Sequence, residues 1–273
     1  LERLVFMNSE EVSKRILDIV VELEAMPIVF LEAMEIMKDD QFSYSKLSKT
    51  ISKDIALSAR ILNLVNSAYF GIPNPVTKIN DAISLLGIKT VKGVIMGMAM
   101  KPMVMTKRGH ELWKHSIRCA VASEILSENL KIASPEEAFV IGLLHDVGRA
   151  IFYIYNLSKY KDVEFLINKG TDKLTAEQSV YKVDHAELGY AFAKKYQLPA
   201  IICDSIRYHH SLQNSSASSV TGIVYVAEKI TQDKFEDSIF DSEVSSVIDF
   251  ELSNPIEFRE MVFKRSDSII GIL

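Results

Sequence analysis

Six histidines in 273 residues are few enough that their placement carries information. His145 and Asp146 close the apolar run Ala138-Phe-Val-Ile-Gly-Leu-Leu-His-Asp-Val-Gly148, and His115, His185, His209 and His210 flank it at intervals. His110 alone stands outside the set. Neutral imidazole nitrogens and anionic carboxylate oxygens together satisfy a borderline divalent ion such as Zn, Fe or Mn, so the set points first to a metal-centred pocket. Taken singly, each member also has an ordinary explanation. Neighbouring side chains diverge by about 100° on a regular helix, so His145 and Asp146 share an ion only at a helix end, where Gly148 would let the backbone turn away. Asp146 is costly to bury unpaired, which asks for a cation or strong donor beside it unless that helix end faces water. His115, one turn after Glu111, also fits a plain surface or core position. His185 stands between Asp184 and Glu187 at a helix start, where capping or exposure competes. His209 and His210 end a helix, where imidazolium would favour the negative dipole end.

The elements that must position these groups are helices. Nearly every segment longer than ten residues shows apolar positions at helical spacing, and no alternating run bounded by hairpin turns appears, so the fold class is all-α. The periodicity predicts helices over Glu11 to Glu24, Pro27 to Met37, Tyr44 to Ile51, and from Asp54 on a face of Ile55, Ala59, Leu62, Val65 and Asn66. Gly71-Ile-Pro-Asn-Pro75 is a turn, and a helix from Asn80 ends at Gly87, a left-handed cap. Thr90 to Met105 carries Met96, Met98, Met100, Met103 and Met105, core filler or a partner or dimer face, with Pro102 bending or ending it. Residues 106 to 111 are polar and mark the expected sub-domain boundary. Further helices are expected at about 111–130, 135–147, 149–168, 175–182, 185–196, 199–210 and 218–232. Gln213 to Ser219 reads as a flexible polar loop, followed by a weaker helical tail after Asp233.

Composition narrows the function classes. Apolar residues at 48% and charged residues at 25% are ordinary for a soluble globular chain, and the net charge of −5 gives no global attraction to nucleic acid or anionic lipid. Lys89, Lys92, Lys101, Lys107, Arg108, Lys114 and Arg118 form a local basic stretch without closely interleaved aromatics, which reads as solvated helix faces and disfavours nucleic acid as partner. Cys119 and Cys203 lack paired spacing and read as buried thiols. No segment reaches the roughly 18 to 20 apolar residues of a bilayer span and no secretion signal is evident, so the expected location is cytoplasmic.

The order His115, His145-Asp146, His185, His209-His210, centred on Leu143-Leu-His-Asp-Val-Gly148, resembles the HD superfamily of metal-dependent phosphohydrolases, including its HD-GYP branch. The resemblance implies that His115, His145, Asp146 and a later acid hold one ion, and that His185, His209 and His210 hold a second or steer a phosphate. The later acid falls in Val226-Ala-Glu-Lys229 as Glu228 where the family has Asp, and the extra methylene requires its helix to sit farther back. Arg149 replaces the Lys that commonly follows the motif's glycine and presents its charge differently to a phosphate. The GYP signature is absent.

A longer stretch, Ala59-Arg-Ile-Leu-Asn-Leu-Val-Asn-Ser-Ala-Tyr-Phe-Gly71 followed by Ile79-Asn-Asp-Ala-Ile-Ser-Leu-Leu-Gly-Ile88, is similar to the N-terminal half of the HDOD family, and Trp113-Lys-His-Ser116 with Leu198-Pro199 resembles its second half. This likeness, over about residues 20 to 212, implies an N-terminal HDOD-type helical sub-domain (1–107) packed on an HD-like helical sub-domain (108–232), with a C-terminal helical tail (233–273). It implies a bacterial intracellular signal-transduction domain with a divalent metal cofactor (Fe, Mn, Zn or Mg; one or two ions), acting through a signalling protein partner or a phosphorylated small molecule. The alternative is an active metal-dependent phosphohydrolase or phosphodiesterase, with Asp146 and Arg149 as catalytic candidates; a metal-free structural bundle is the third reading.

Overall fold

The computed structural model describes residues 7–22, 28–37, 43–100, 106–232 and 254–270, and all regular structure among them is helical. The N-terminal half comprises α1 (Ser9–Glu22), α2 (Ile28–Ile36), α3 (Tyr44–Ile51), α4 (Ile55–Val65) and α5 (Ile79–Met100). Asn8 and Glu11 start α1 as a reciprocal cap, each accepting the other's backbone N–H at 2.9 and 3.0 Å. Asp54 caps α4 through the Leu57 N–H, as its sequence position predicts. Of the expected apolar face of α4, Val65 is buried and Leu62 half-buried, but Ile55 is 85% exposed and Ala59 is exposed, and Ile61 and Leu64 face inward instead. Asn66 is the helix's C-cap, and its amide grips Val76 through both N–H and carbonyl, which pins the 71–78 turn. Gly87 adopts φ 74°, a left-handed break within α5 that the sequence read as a cap. Pro102, Met103 and Met105 and the side chains of Met96, Met98 and Met100 lie outside the described residues.

The C-terminal half comprises α6 (Lys107–Leu130), α7 (Pro135–Leu144), α8 (Val147–Asn168), α9 (Lys173–Tyr181), α10 (His185–Lys195), α11 (Ala200–Tyr208) and α12 (Ser218–Thr231), with α13 (Pro255–Ile270) packed on α6 and α12. Residues 106 to 111, expected as a boundary, are the first turn of α6, capped by the Thr106 hydroxyl. α7 is buried on all sides against α6, α5, α11 and α12, which explains why its sequence shows no polar face. Pro135–Asn168, two helices meeting at His145-Asp146, is long and apolar enough to cross a bilayer, contrary to the sequence reading. Its most apolar window is 83% buried inside the bundle, so here that apolarity makes the core. The expected flexible loop after α11 is instead a 3-10 turn, Leu212–Asn214, followed by a network in which Asp204 accepts from the Ser215 and Ser216 hydroxyls and the Ala217 N–H. Both cysteines are buried and unpaired by disulfide.

Candidate metal centre

The His145-Asp146 pair sits at the joint between α7 and α8. α7 ends at Leu144, His145 is its C-cap, and Asp146 (φ −96°, ψ 14°) leaves the helical path as the N-cap of α8. Gly148 does not supply this turn. It lies inside α8, where an added Cβ would stand 2.0 Å from the His185 carbonyl oxygen. The missing side chain therefore lets α8 press onto the first residue of α10 and brings His185 beside Asp146. A similar approach joins α7 to α6, since a Cβ on Gly142 would meet the Cys119 carbonyl oxygen at 2.7 Å.

These approaches gather the histidines of four helical elements around one carboxylate. Asp146 Oδ2 faces His145 Nε2 at 3.6 Å and His115 Nε2 at 3.8 Å, and accepts a hydrogen bond from Arg149 Nη1 at 2.6 Å. Asp146 Oδ1 faces His185 Nε2 at 3.3 Å. His185 Nε2 in turn lies 3.3 Å from His209 Nε2 and 2.9 Å from His210 Nε2. The donors thus form two groups, His115/His145/Asp146 and His185/His209/His210, each with its ligand atoms within 4.8 Å of one another. Glu228 lies beside the second group: its Oε2 is 3.6 Å from His210 Nδ1, and its Oε1 is 3.9 Å from Lys173. It faces the outer nitrogen of His210 and belongs to neither group. His110 is exposed and apart.

The ring orientations are fixed from behind. His145 Nδ1 donates to the Gly142 carbonyl and His209 Nδ1 to the Ile206 carbonyl, each at 2.7 Å, and His185 Nδ1 donates to Glu177 Oε2 at 2.6 Å. In the neutral Nδ1–H tautomer an Nε2 turns a lone pair toward the cluster. Burial keeps three of the cluster's rings neutral: it pushes His115 and His210 down to about 4 and His209 well below the ordinary range. The helix-dipole reading of His209 and His210 is thereby replaced, because neither ring is charged near neutrality. For His145 burial acts in the same direction, but Cys119, Asp146 and Glu228 outweigh it and raise the ring to about 10. Asp146 and Glu228 stay ionised despite burial, Asp146 beside Arg149 and His145, Glu228 beside His210 and Lys173.

The residues present fit a divalent ion. His145 Nε2 and Asp146 Oδ1 are buried polar atoms without a hydrogen-bond partner, an arrangement that native interiors avoid unless something absent completes it. Two nitrogens bonded to one ion at about 2.1 Å stand roughly 3.0–3.4 Å apart, and the second group's spacings of 2.9 and 3.3 Å meet that requirement. A cavity of about 510 Å³ opens above His115, and its walls include Lys107, Arg118, Arg149, Tyr153 and Lys173. Part of the basic stretch expected as solvated helix faces therefore lines this opening. Sequence reasoning missed Glu177, Tyr160 and Lys173, since a lone acid or lysine on an amphipathic helix carries no signal of what it will face.

Comparison with known proteins agrees with this architecture. An uncharacterized protein of Treponema pallidum (strain Nichols) is 24% identical over 212 residues, 76% of this chain and 41% of the relative, so the chain spans about two fifths of that relative's length. The crystal structure of a candidate phosphohydrolase from Shewanella amazonensis SB2B shares the fold with a TM-score of 0.71 at 23% identity, covering 94% of this chain and 97% of its own. That of a candidate signal transduction protein from Marinobacter aquaeolei VT8 has a TM-score of 0.71 at 16% identity, covering 98% of this chain and 67% of its own. The HDOD domain pattern matches residues 23–212, spanning α2 through α11, and on that match the chain belongs to the HDOD domain family.

Proposed function

We propose that this chain is an intracellular signal-transduction domain which holds a divalent transition metal at the His/Asp centre and acts through a phosphorylated ligand or a signalling partner. One observation carries the metal reading: the two oxygens of buried Asp146 address two separate histidine groups, the arrangement by which one carboxylate serves a pair of ions. Five imidazoles against one central carboxylate favour Fe, Mn or Zn over Mg, which prefers oxygen. His115, His145 and Asp146 would hold one ion, His185, His209 and His210 the other, and Glu228 orients His210 from outside. Elemental analysis of untagged protein tests this reading. Near-stoichiometric transition metal, lost in Asp146→Ala with the fold retained, is the expected result; metal-free wild-type protein after purification and reconstitution would overturn it.

A second reading, phosphohydrolase activity, is favoured by the cationic cavity. An ion at the centre would supply Lewis acidity toward a phosphoryl oxygen and toward water. Arg149, Lys173 and Arg118 line the opening through which a phosphoryl group would come, and their charge suits it. Turnover of a generic phosphodiester in the presence of Mn, abolished in Asp146→Ala, would establish the enzyme. Metal uptake without turnover across metals and phosphoesters would leave the signalling role.

A further inference from the structure

Beside the candidate metal centre three fully or nearly buried groups form a chain: Tyr160 on α8, Glu177 on α9 and His185 at the start of α10. Tyr160 Oη donates to Glu177 Oε1 at 2.8 Å, and Glu177 Oε2 accepts both the backbone N–H of His185 at 2.8 Å and its Nδ1–H at 2.6 Å. Glu177 is 0% exposed and its two oxygens take three hydrogen bonds, all as acceptors, the donor set that suits a carboxylate rather than a carboxylic acid. An ionised carboxylate buried this deeply is retained only where its hydrogen bonds are complete. Here each of its oxygens has a donor, and one of the three donors is a ring whose other nitrogen points at the candidate ion.

Of the other inward-facing rings with a bonded Nδ1, His145 and His209 lean on neutral main-chain carbonyls and His115 on the neutral Thr231 hydroxyl at 3.5 Å. A charged acceptor makes a shorter, stronger bond and withdraws the Nδ1 proton from the ring, which raises the basicity of Nε2. We infer that Glu177, held by Tyr160, is a positioning residue that locks His185 in its Nδ1–H tautomer and makes the His185/His209/His210 group the tighter of the two metal positions. The inference rests on the metal reading given above. It assigns Glu177 no contact with substrate; its effect passes entirely through His185.

Glu177 also accepts the His185 backbone N–H and so ties α9 to α10, which means a purely structural role must be separated from positioning. Glu177→Gln keeps the size and one acceptor oxygen while removing the charge. Tyr160→Phe, on a different helix, removes one hydrogen bond without touching that joint. Stripped full-length protein is titrated with Mn and Co under a competing chelator. In Glu177→Gln the tightest-bound ion should lose about 10- to 100-fold in affinity, and in Tyr160→Phe about two- to tenfold, the worth of one neutral hydrogen bond. His115→Ala should weaken only the looser ion. The metal-free proteins are compared by long-range proton–nitrogen spectra of the imidazoles, where the His185 Nδ1 proton should be far downfield in wild type and move upfield in Glu177→Gln. A structural role alone would lower thermal stability and weaken both ions alike, which overturns the inference. Wild-type protein that takes up metal while Glu177→Gln retains full affinity also overturns it, and leaves the metal reading standing. Wild-type protein that takes up none overturns both.

Discussion

Protons would compete with a bound metal ion for lone pairs at this centre, and the competition has a definite sign. His115, His209 and His210 are held neutral by burial, with His115 and His210 at about 4, whereas the unfolded chain titrates its histidines near 6.5. Between about 4 and 6.5 the unfolded state binds more protons, so stability from these rings is complete above about 6.5 and is lost as pH falls toward 4. His145 runs the other way: raised to about 10, it contributes stability that is present below about 6.5 and lost as pH rises toward 10. Metal-free protein should therefore melt highest near neutrality, with the melting temperature falling on both sides in a series from pH 4.5 to 9. A melting temperature that keeps climbing to pH 9 would contradict the protonated state of His145. Metal must displace the His145 proton, so its affinity should rise with pH over the same alkaline range and its binding should release protons measurable by calorimetry in two buffers.

At the level of the helices, ligand convergence depends on close approach more than on the ligands themselves. Gly148→Ala places a methyl 2.0 Å from a backbone oxygen, which cannot rotate aside. Overpacking of this kind costs about 1–3 kcal/mol or somewhat more, and here it also pushes α10 away from α8. Urea denaturation should show the loss of stability, and metal titration should show weakened binding of the ion shared by His185 although no ligand has changed. The place of His185 in the histidine order marked it in the sequence as a candidate ligand; the need for Gly148 to be small was misread as a need for it to bend. Local signals fared best: the cap at Asp54, the break at Gly87 and the turn at 71–75 all stand where turn and cap chemistry put them. What periodicity left out was long-range. Whether Ile55 or Ile61 faces inward, whether α13 packs on α6, and that Glu177 stands behind His185 are set by packing between elements distant in the chain, which the spacing of one helix does not encode.

Across the whole molecule the cavity and the last described helix meet at Arg118. Arg118 lines the cavity, and its guanidinium lies 4.0 Å from the centre of the Phe263 ring on α13, with Asp267 at 3.8 Å. Arg259 lies 4.4 Å from the centre of the same ring and donates to the Ile230 and Gln232 carbonyls at the end of α12. Phe263→Ala removes two cation–π contacts of about 0.5–1 kcal/mol each together with the aromatic burial. It should cost about 2–3 kcal/mol, read by chemical denaturation, and hydrogen exchange in α13 should quicken while that in α7 stays slow. The guanidinium of Arg118 is planar and cannot face both ways at once. A phosphoryl group that drew it toward the cavity would compete with Asp267 for it, so saturating inorganic phosphate should quicken exchange in α13 of the wild-type chain, and unchanged exchange would rule out that competition. Filling the pocket would then loosen a helix on the outside of the protein, a mechanical message sent without any bond being broken.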